Sequence, residues 1–191
     1  MAEESTDNVI SALVETLSGP RRRARQEAAH RLALLAYEDA APLLAHTEGL
    51  IDALFRPEAQ TRWEVFDALG ELALIDPEAV AGGYEGAEAS LFDEDSATVR
   101  LAAFRFLCRW GASAPTPSDQ AWPLLDEAVQ CYHGDPEYHD MLVALLEFAG
   151  GSLSDATREA LVARISFDAE NGRSYIKAFS VQIVAAAKGG Q

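Results

Sequence analysis

The chain has 191 residues, 49% of them hydrophobic, and carries 31 Asp and Glu against 15 Lys and Arg, a formal charge of −16 at pH 7. That apolar content is ample for a sizeable core, while the negative field repels phosphate backbones and anionic lipid and favours cationic partners. No apolar run approaches the roughly 20 residues that span a bilayer, the acidic start Met1-Ala2-Glu3-Glu4-Ser5 lacks the regions of a secretion signal, and Cys108 and Cys131 form no disulfide framework; a cytoplasmic protein with reduced thiols is expected.

The periodicity predicts a first helix from about Asp7 to Leu17, with Val9, Ile10, Leu13, Val14 and Leu17 inward and Gly19-Pro20 closing it. The second helix carries Arg21, Arg22, Arg23 and Arg25 in its first turns, the unfavourable end for the helix dipole, so these charges are expected to meet carboxylates or solvent. With no aromatics among them they read as a solvated or salt-bridged face, not a nucleic-acid arm. From Asp39 onward, Gly49 interrupts an otherwise helical pattern and predicts a short helix followed by another. Glu48-Gly49 with Leu54 returns 37 residues later as Glu85-Gly86 with Leu91. The stretch from Ala79 to Ala89 is expected to be irregular, because Gly82, Gly83 and Gly86 each cost about 1 kcal/mol against alanine. The clearest helix runs from Asp95 to Trp110: Asp95 or Ser96 can cap it, and Val99, Ala103, Leu107 and Trp110 fall on one face. Further on, Pro123 is expected at a helix start, and Asp135-Pro136-Glu137 opens another helix.

The same frame returns along the chain. Leu32, Leu69, Leu107, Leu145 and Ile183 form a column with steps of 37, 38, 38 and 38, with the apolar residues Ala28, Val65, Ala103, Met141 and Phe179 four places earlier. A second column, Leu17, Leu54, Leu91, Val129 and Phe167, steps by 37, 37, 38 and 38. Both helices of each unit carry the period, which marks an internal repeat. Arginine stands seven places before the first column at Arg25, Arg62 and Arg100; Tyr138 and Ile176 replace it later, so an arginine ladder is expected to stop after the third unit.

HEAT-like features are Asp95 followed by Val99-Arg100, Ala103 and Leu107, echoed by Ala24-Arg25, Ala28 and Leu32. Armadillo-like features are Glu48-Gly49-Leu50-Ile51 through Leu54, then Ala68-Leu69-Gly70-Glu71-Leu72-Ala73. On these residues the chain resembles the armadillo and HEAT repeat superfamily over nearly its whole length. The resemblance implies an all-α, right-handed superhelical solenoid: a single domain, 1–191, of about five units near 5–37, 38–75, 76–112, 113–151 and 152–188. Stacked helical pairs share a core that no pair can form alone. It further implies a concave side lined by the second helix of each unit, and a non-enzymatic scaffold that binds a partner protein there. Because the superfamily includes bilin lyases and DNA glycosylases, a tetrapyrrole lyase or an atypical glycosylase is the alternative.

Counting from the leucine column, outward positions lie two before and two after it, with the residue six before at their flank. They are Trp63, Asp67 and Glu71 in the second unit, Leu101, Arg105 and Arg109 in the third, His139, Val143 and Glu147 in the fourth, and Lys177, Val181 and Ala185 in the fifth. The candidate partner-binding set is Trp63, Asp67, Glu71, Arg105, Arg109, His139, Val143 and Glu147. Trp63, Asp67 and Glu71 place an indole beside two carboxylates on one stripe, where a lysine or arginine of a partner segment would gain cation–π and charge-assisted bonds. The stripe resembles the tryptophan-plus-amide pairs of armadillo transport receptors, with Asp in place of Asn; the competing reading packs Trp63 against a neighbouring helix and leaves the acids solvated. Val143 and Val181 offer an apolar alternative or a dimer contact. Cys131, His133, Asp135, Glu137, His139 and Asp140 are the densest group of ligand types, and a turn could gather Cys131, His133 and His139, but the spacing fits no standard zinc pattern. No metal or cofactor is expected. There is no glycine-rich phosphate loop and no nucleophile motif, and outward Asp67, Glu71 and Glu147 leave no cationic cleft for DNA.

Overall fold

Apolar residues at steps of three and four can share one buried face only in a helix, and helices are what form. The computed structural model describes residues 2–189 and the side chains of residues 7–189, so Met1 and the side chains of the acidic start lie outside the described residues. Among the described residues there are ten α-helices, one short 3-10 helix and no strand. The helices are α1 (Ala2–Ser18), α2 (Arg22–Glu38), α3 (Thr47–Ala53), α4 (Ala59–Ala73), α5 (Gly83–Leu91), α6 (Ala97–Gly111), α7 (Pro115–Cys131), α8 (Tyr138–Ala149), α9 (Asp155–Asn171) and α10 (Ser174–Gly189). The 3-10 helix, Ala41–His46, precedes α3. Two compact units result, Met1–Phe106 and Leu107–Gln191, with the boundary inside α6. They are called the N-terminal and C-terminal units below.

The first column is core throughout: Leu32, Leu69, Leu107, Leu145 and Ile183 are all 0% exposed. These residues sit in α2, α4, α6, α8 and α10, the second helices of the repeat. The second column holds at Leu17, Leu54, Leu91 and Val129 and fails at Phe167, which is 70% exposed. In α9 the buried stripe is Thr157, Leu161 and Ile165. Phe167 lies two residues beyond Ile165, about 200° around the helix, and so points away from that stripe.

In the N-terminal unit α1 packs on α2 and α2 on α4. The break expected at Gly49 occurs instead between His46 and Thr47, and Gly49 lies inside α3. A Cβ at Gly49 would stand 2.3 Å from Val14 Cγ1, and one at Gly86, the same position a repeat later, 2.6 Å from Leu54 Cδ1 and 2.9 Å from Leu54 Cβ. Both glycines therefore serve close approach between helices. The glycine-rich stretch is irregular as expected, with turns over residues 77–82 before α5 begins at Gly83. Ser96 caps α6, its Oγ accepting from Val99 N at 3.3 Å.

Arginines fasten the N-terminal unit. Arg25 donates to both oxygens of Glu58 and, at 2.7 Å, to the Gly19 carbonyl just past α1. Arg62 pairs with Asp93 at 2.8 Å, and Arg100 donates to the Asp93 carbonyl just past α5 at 2.7 Å. Each bond to a carbonyl ties a second helix to the backbone just past the helix before it. The hydrogen bond from Arg25 holds the Glu58 carboxyl below its ordinary range despite burial. At Asp93 burial pushes upward, and the hydrogen bond and charge of Arg62 outweigh it, so this carboxyl is also lowered.

In the C-terminal unit α8 packs on α10, α9 on α10 and α7 on α9. Pro123 does not start a helix: α7 runs unbroken through it. The ring is exposed, and Ala121, Leu125 and Ala128 bury both halves of α7 around it, so packing on either side keeps the helix formed where the backbone loses a bond. The starts of α7 and α9 are tied by Asp119, whose Oδ1 accepts from the hydroxyls of Ser154 and Thr157. Those two hydrogen bonds lower the Asp119 pKa. Tyr138 occupies the old arginine position and is fully buried, its hydroxyl without a partner among the described residues. Arg158, off the column, takes over the stapling with bonds to the carbonyls of Gly151 (2.8 Å) and Ala187 (3.1 Å).

Candidate functional site

Burial of Val65, Phe66, Leu69 and Leu72 fixes the rotation of α4, and the same lock acts on the other second helices. The residues two before the column, His30, Asp67, Arg105, Val143 and Val181, are exposed in every repeat. Those two after it run from half-buried at Glu71 and Arg109 to exposed at Leu34, Glu147 and Ala185. The residues two before the column thus face outward on all five second helices, and those two after it do so in part.

In the N-terminal unit Trp63 is half-buried and Asp67 exposed on the same stripe of α4 as Glu71. Neither carboxylate is idle, since Asp67, Glu71 and Arg105 all interact within the chain. A carboxylate offers about four lone-pair sites and can take a further donor. Glu64, on the flank of the stripe, pairs with His30 Nδ1 of α2 at 3.0 Å.

In the C-terminal unit Arg109 Nε stands 4.0 Å from Glu147 Oε2. His139 sits edge-on against two rings of α10, Tyr175 at 5.3 Å and Phe179 at 5.2 Å between centroids, and its Nδ1 is 3.0 Å from Asp140 Oδ1. Val143 and Val181 are 37% and 49% exposed. The aromatic pair beside His139 was not among the residues singled out from the sequence. Phe179 stood in the apolar column four before Ile183, and Tyr175 lies one turn earlier, so the signal was present as i, i+4 spacing.

The structure does not gather Cys131, His133 and His139. His133 pairs with Asp168 at 3.0 Å and lies against the Tyr138 ring, whereas His139 faces α10. Among the described residues no three metal-ligating side chains come together. Cys108 is buried, which pushes its thiol well up and makes it a poor nucleophile, and Cys131 is exposed and unbridged.

No family model matches this sequence, and no curated protein does. Solved structures do. A designed armadillo repeat protein, YIII(Dq)4CqI, superposes with a TM-score of 0.75 at 14% identity, over 94% of this chain and 82% of its own. The chain has an armadillo/HEAT-like repeat fold. A second designed armadillo repeat protein, YIII(Dq.V1)4CPAF in complex with the peptide (KR)4, gives a TM-score of 0.76 at 14% identity over 93% and 81% of the two chains. Computationally designed armadillo repeat proteins for modular peptide recognition give 0.74 at 15% identity, again over 93% and 81%. At such identities the likeness is one of armadillo architecture.

Proposed function

We propose that this chain is a non-catalytic, cytoplasmic protein-binding scaffold that takes a cationic segment of a partner protein on the outward face of α4. The observation that carries the reading is the stripe of Trp63, Asp67 and Glu71, set in a stretch from Trp63 to Val99 that contains ten acidic residues and no Lys or Arg. A partner's lysine or arginine would lie on the indole and share the carboxylates. Arg105, exposed on the next second helix of this unit, disfavours a cation there and limits the cationic run to α4. The peptide-bound designed neighbour supports the reading by analogy, since its ligand is a (KR)4 peptide.

A second reading rests on the C-terminal unit, where Val143 and Val181 are exposed beside His139, Tyr175 and Phe179; there an apolar side chain of a partner, or a second copy, would bind. Titration of an alternating Lys-Arg peptide against the full chain, at low and high salt, separates the two. Charge steering predicts binding that weakens as the Debye length falls from about 10 Å at 0.1 M to about 3 Å at 1 M. Trp63→Ala should weaken binding at every salt concentration through lost contact area and cation–π attraction. Salt-independent binding lost only in Val143→Asp would reject the cationic reading and leave the apolar one.

A further inference from the structure

A second surface lies at the C-terminal ends of α2 and α4 in the N-terminal unit. The two helices run side by side in the same direction: Arg25 meets Glu58 near their starts, and His30 meets Glu64 further along. Their C-terminal ends therefore share one edge. There Leu34, Tyr37, Leu74 and Ile75 are 52%, 81%, 64% and 51% exposed. Tyr37 and Leu74 hold the same repeat position, 37 residues apart, so successive helices repeat the exposure. Single exposed apolar residues need no explanation, but four large ones on one edge mark an interaction surface.

The charge around Tyr37, Leu74 and Ile75 is acidic. The last turns of α2 and α4 contain no basic residue. Glu38, Asp39 and Glu78 are exposed beside it and Asp76 is half-buried, and the carbonyl ends of both helices add partial negative charge. Of the arginines of α2, Arg22, Arg23 and Arg25 lie in its first turn, toward the opposite end, while Arg31 stands one turn before Leu34. From Leu32 to Phe55, as from Trp63 to Val99, there is no Lys or Arg. A second copy would bring the same acidic edge and a net charge of −16, so self-association here is opposed. Anionic lipid and nucleic acid are opposed on the same ground.

We propose that this edge docks a cationic amphipathic segment of a partner protein, its apolar side chains on Tyr37, Leu74 and Ile75 and its lysines or arginines over the acidic rim. The surface adjoins the α4 stripe at Glu71, one turn before Leu74, but its apolar centre lies eleven residues beyond Trp63, about 16 Å along the helix axis. The segment enters as an amphipathic helix, read through apolar residues at i, i+3, i+4 and i+7.

The test uses a fluorescent 14-residue peptide of leucine and lysine with leucine at that spacing, titrated by anisotropy into the full chain. Two control peptides are a scrambled one of equal composition and a patterned leucine–glutamate one. The patterned cationic peptide should bind at least tenfold more tightly than either control. Tyr37→Asp and Leu74→Asp should each weaken it at least fivefold at an unchanged thermal midpoint, whereas Trp63→Ala, which removes lysine binding on the α4 stripe, should weaken the patterned and scrambled cationic peptides alike. Tyr37→Ser and Ile75→Ser probe the same surface without adding charge and should give losses of the same direction. Equal binding of patterned and scrambled peptides overturns the proposal, as does indifference to all four edge variants. A wild-type dimer in sedimentation that Leu74→Asp dissolves would overturn it in favour of a second copy.

Discussion

At the residue scale, the pair of Arg25 and Glu58 shows how a single side chain binds two repeats together. The side chains are 10% and 4% exposed, so replacing Glu58 by Ala strands a buried guanidinium and should cost about 3–5 kcal/mol, read as a drop in the urea midpoint. Because the folded pKa values of Glu58 and Asp93 are lowered, their stabilisation is present above the ordinary carboxylate range. It is lost as pH falls through that range and below, from about pH 4 downward. Unfolding followed by circular dichroism should therefore show stability falling on acidification, with a shallower slope in Glu58→Gln; parallel slopes for the two proteins would remove Glu58 from the acid response. Leu107 is the plainest core position, 0% exposed in the middle of its column. Leu107→Ala should cost about 2–5 kcal/mol, and an unchanged denaturation midpoint would contradict its place in the core.

At the element scale the glycines separate what a pattern says from what a fold does with it. Gly86→Ala should destabilise by about 1–3 kcal/mol through overlap with the Cβ and Cδ1 of Leu54, even though alanine is the better helix former by about 1 kcal/mol. A gain in thermal midpoint would show that α5 has room to shift. The period of 37 to 38 residues was legible because each of the five leucine-column residues must be buried in the core of its own unit, and periodicity records that directly. The role of Gly49 was not, since a glycine in a helical pattern reads equally as a break or as a close approach, and only the position of Val14 decides between them. Phe167 was misplaced for a related reason: counting by 38 assumes a constant linker, and the stripe of α9 is set by Thr157, Leu161 and Ile165 instead. Pro123 alone signals a helix start, whereas the buried residues on either side of it keep α7 helical through it. Within the candidate site, the outward register of α4 and α8 followed from the column, but the rings of Tyr175 and Phe179 beside His139 belong to another helix. No count along α8 could have found them.

At the scale of the whole molecule, a net charge of −16 and ten acidic residues between Trp63 and Val99 give the chain a long-range preference for cations. In the proposed function, short-range selection belongs to the α4 stripe. The division makes rate and affinity separable: salt should act mainly on the association rate of a cationic peptide, whereas Trp63→Ala should act mainly on its dissociation rate, both readable by surface plasmon resonance. An equal effect of salt on both rates in wild type and variant would argue against that division. Among the described residues no helix is long and apolar enough to cross a membrane. The most direct test of the central claim is amide chemical-shift mapping of an alternating Lys-Arg peptide on the isotope-labelled full chain. The account predicts the largest shifts within residues 60–75, centred on Trp63, Asp67 and Glu71, and their disappearance in Trp63→Ala. Shifts concentrated on α8 and α10 around Val143 and Val181, or a response with no maximum on α4, would contradict it.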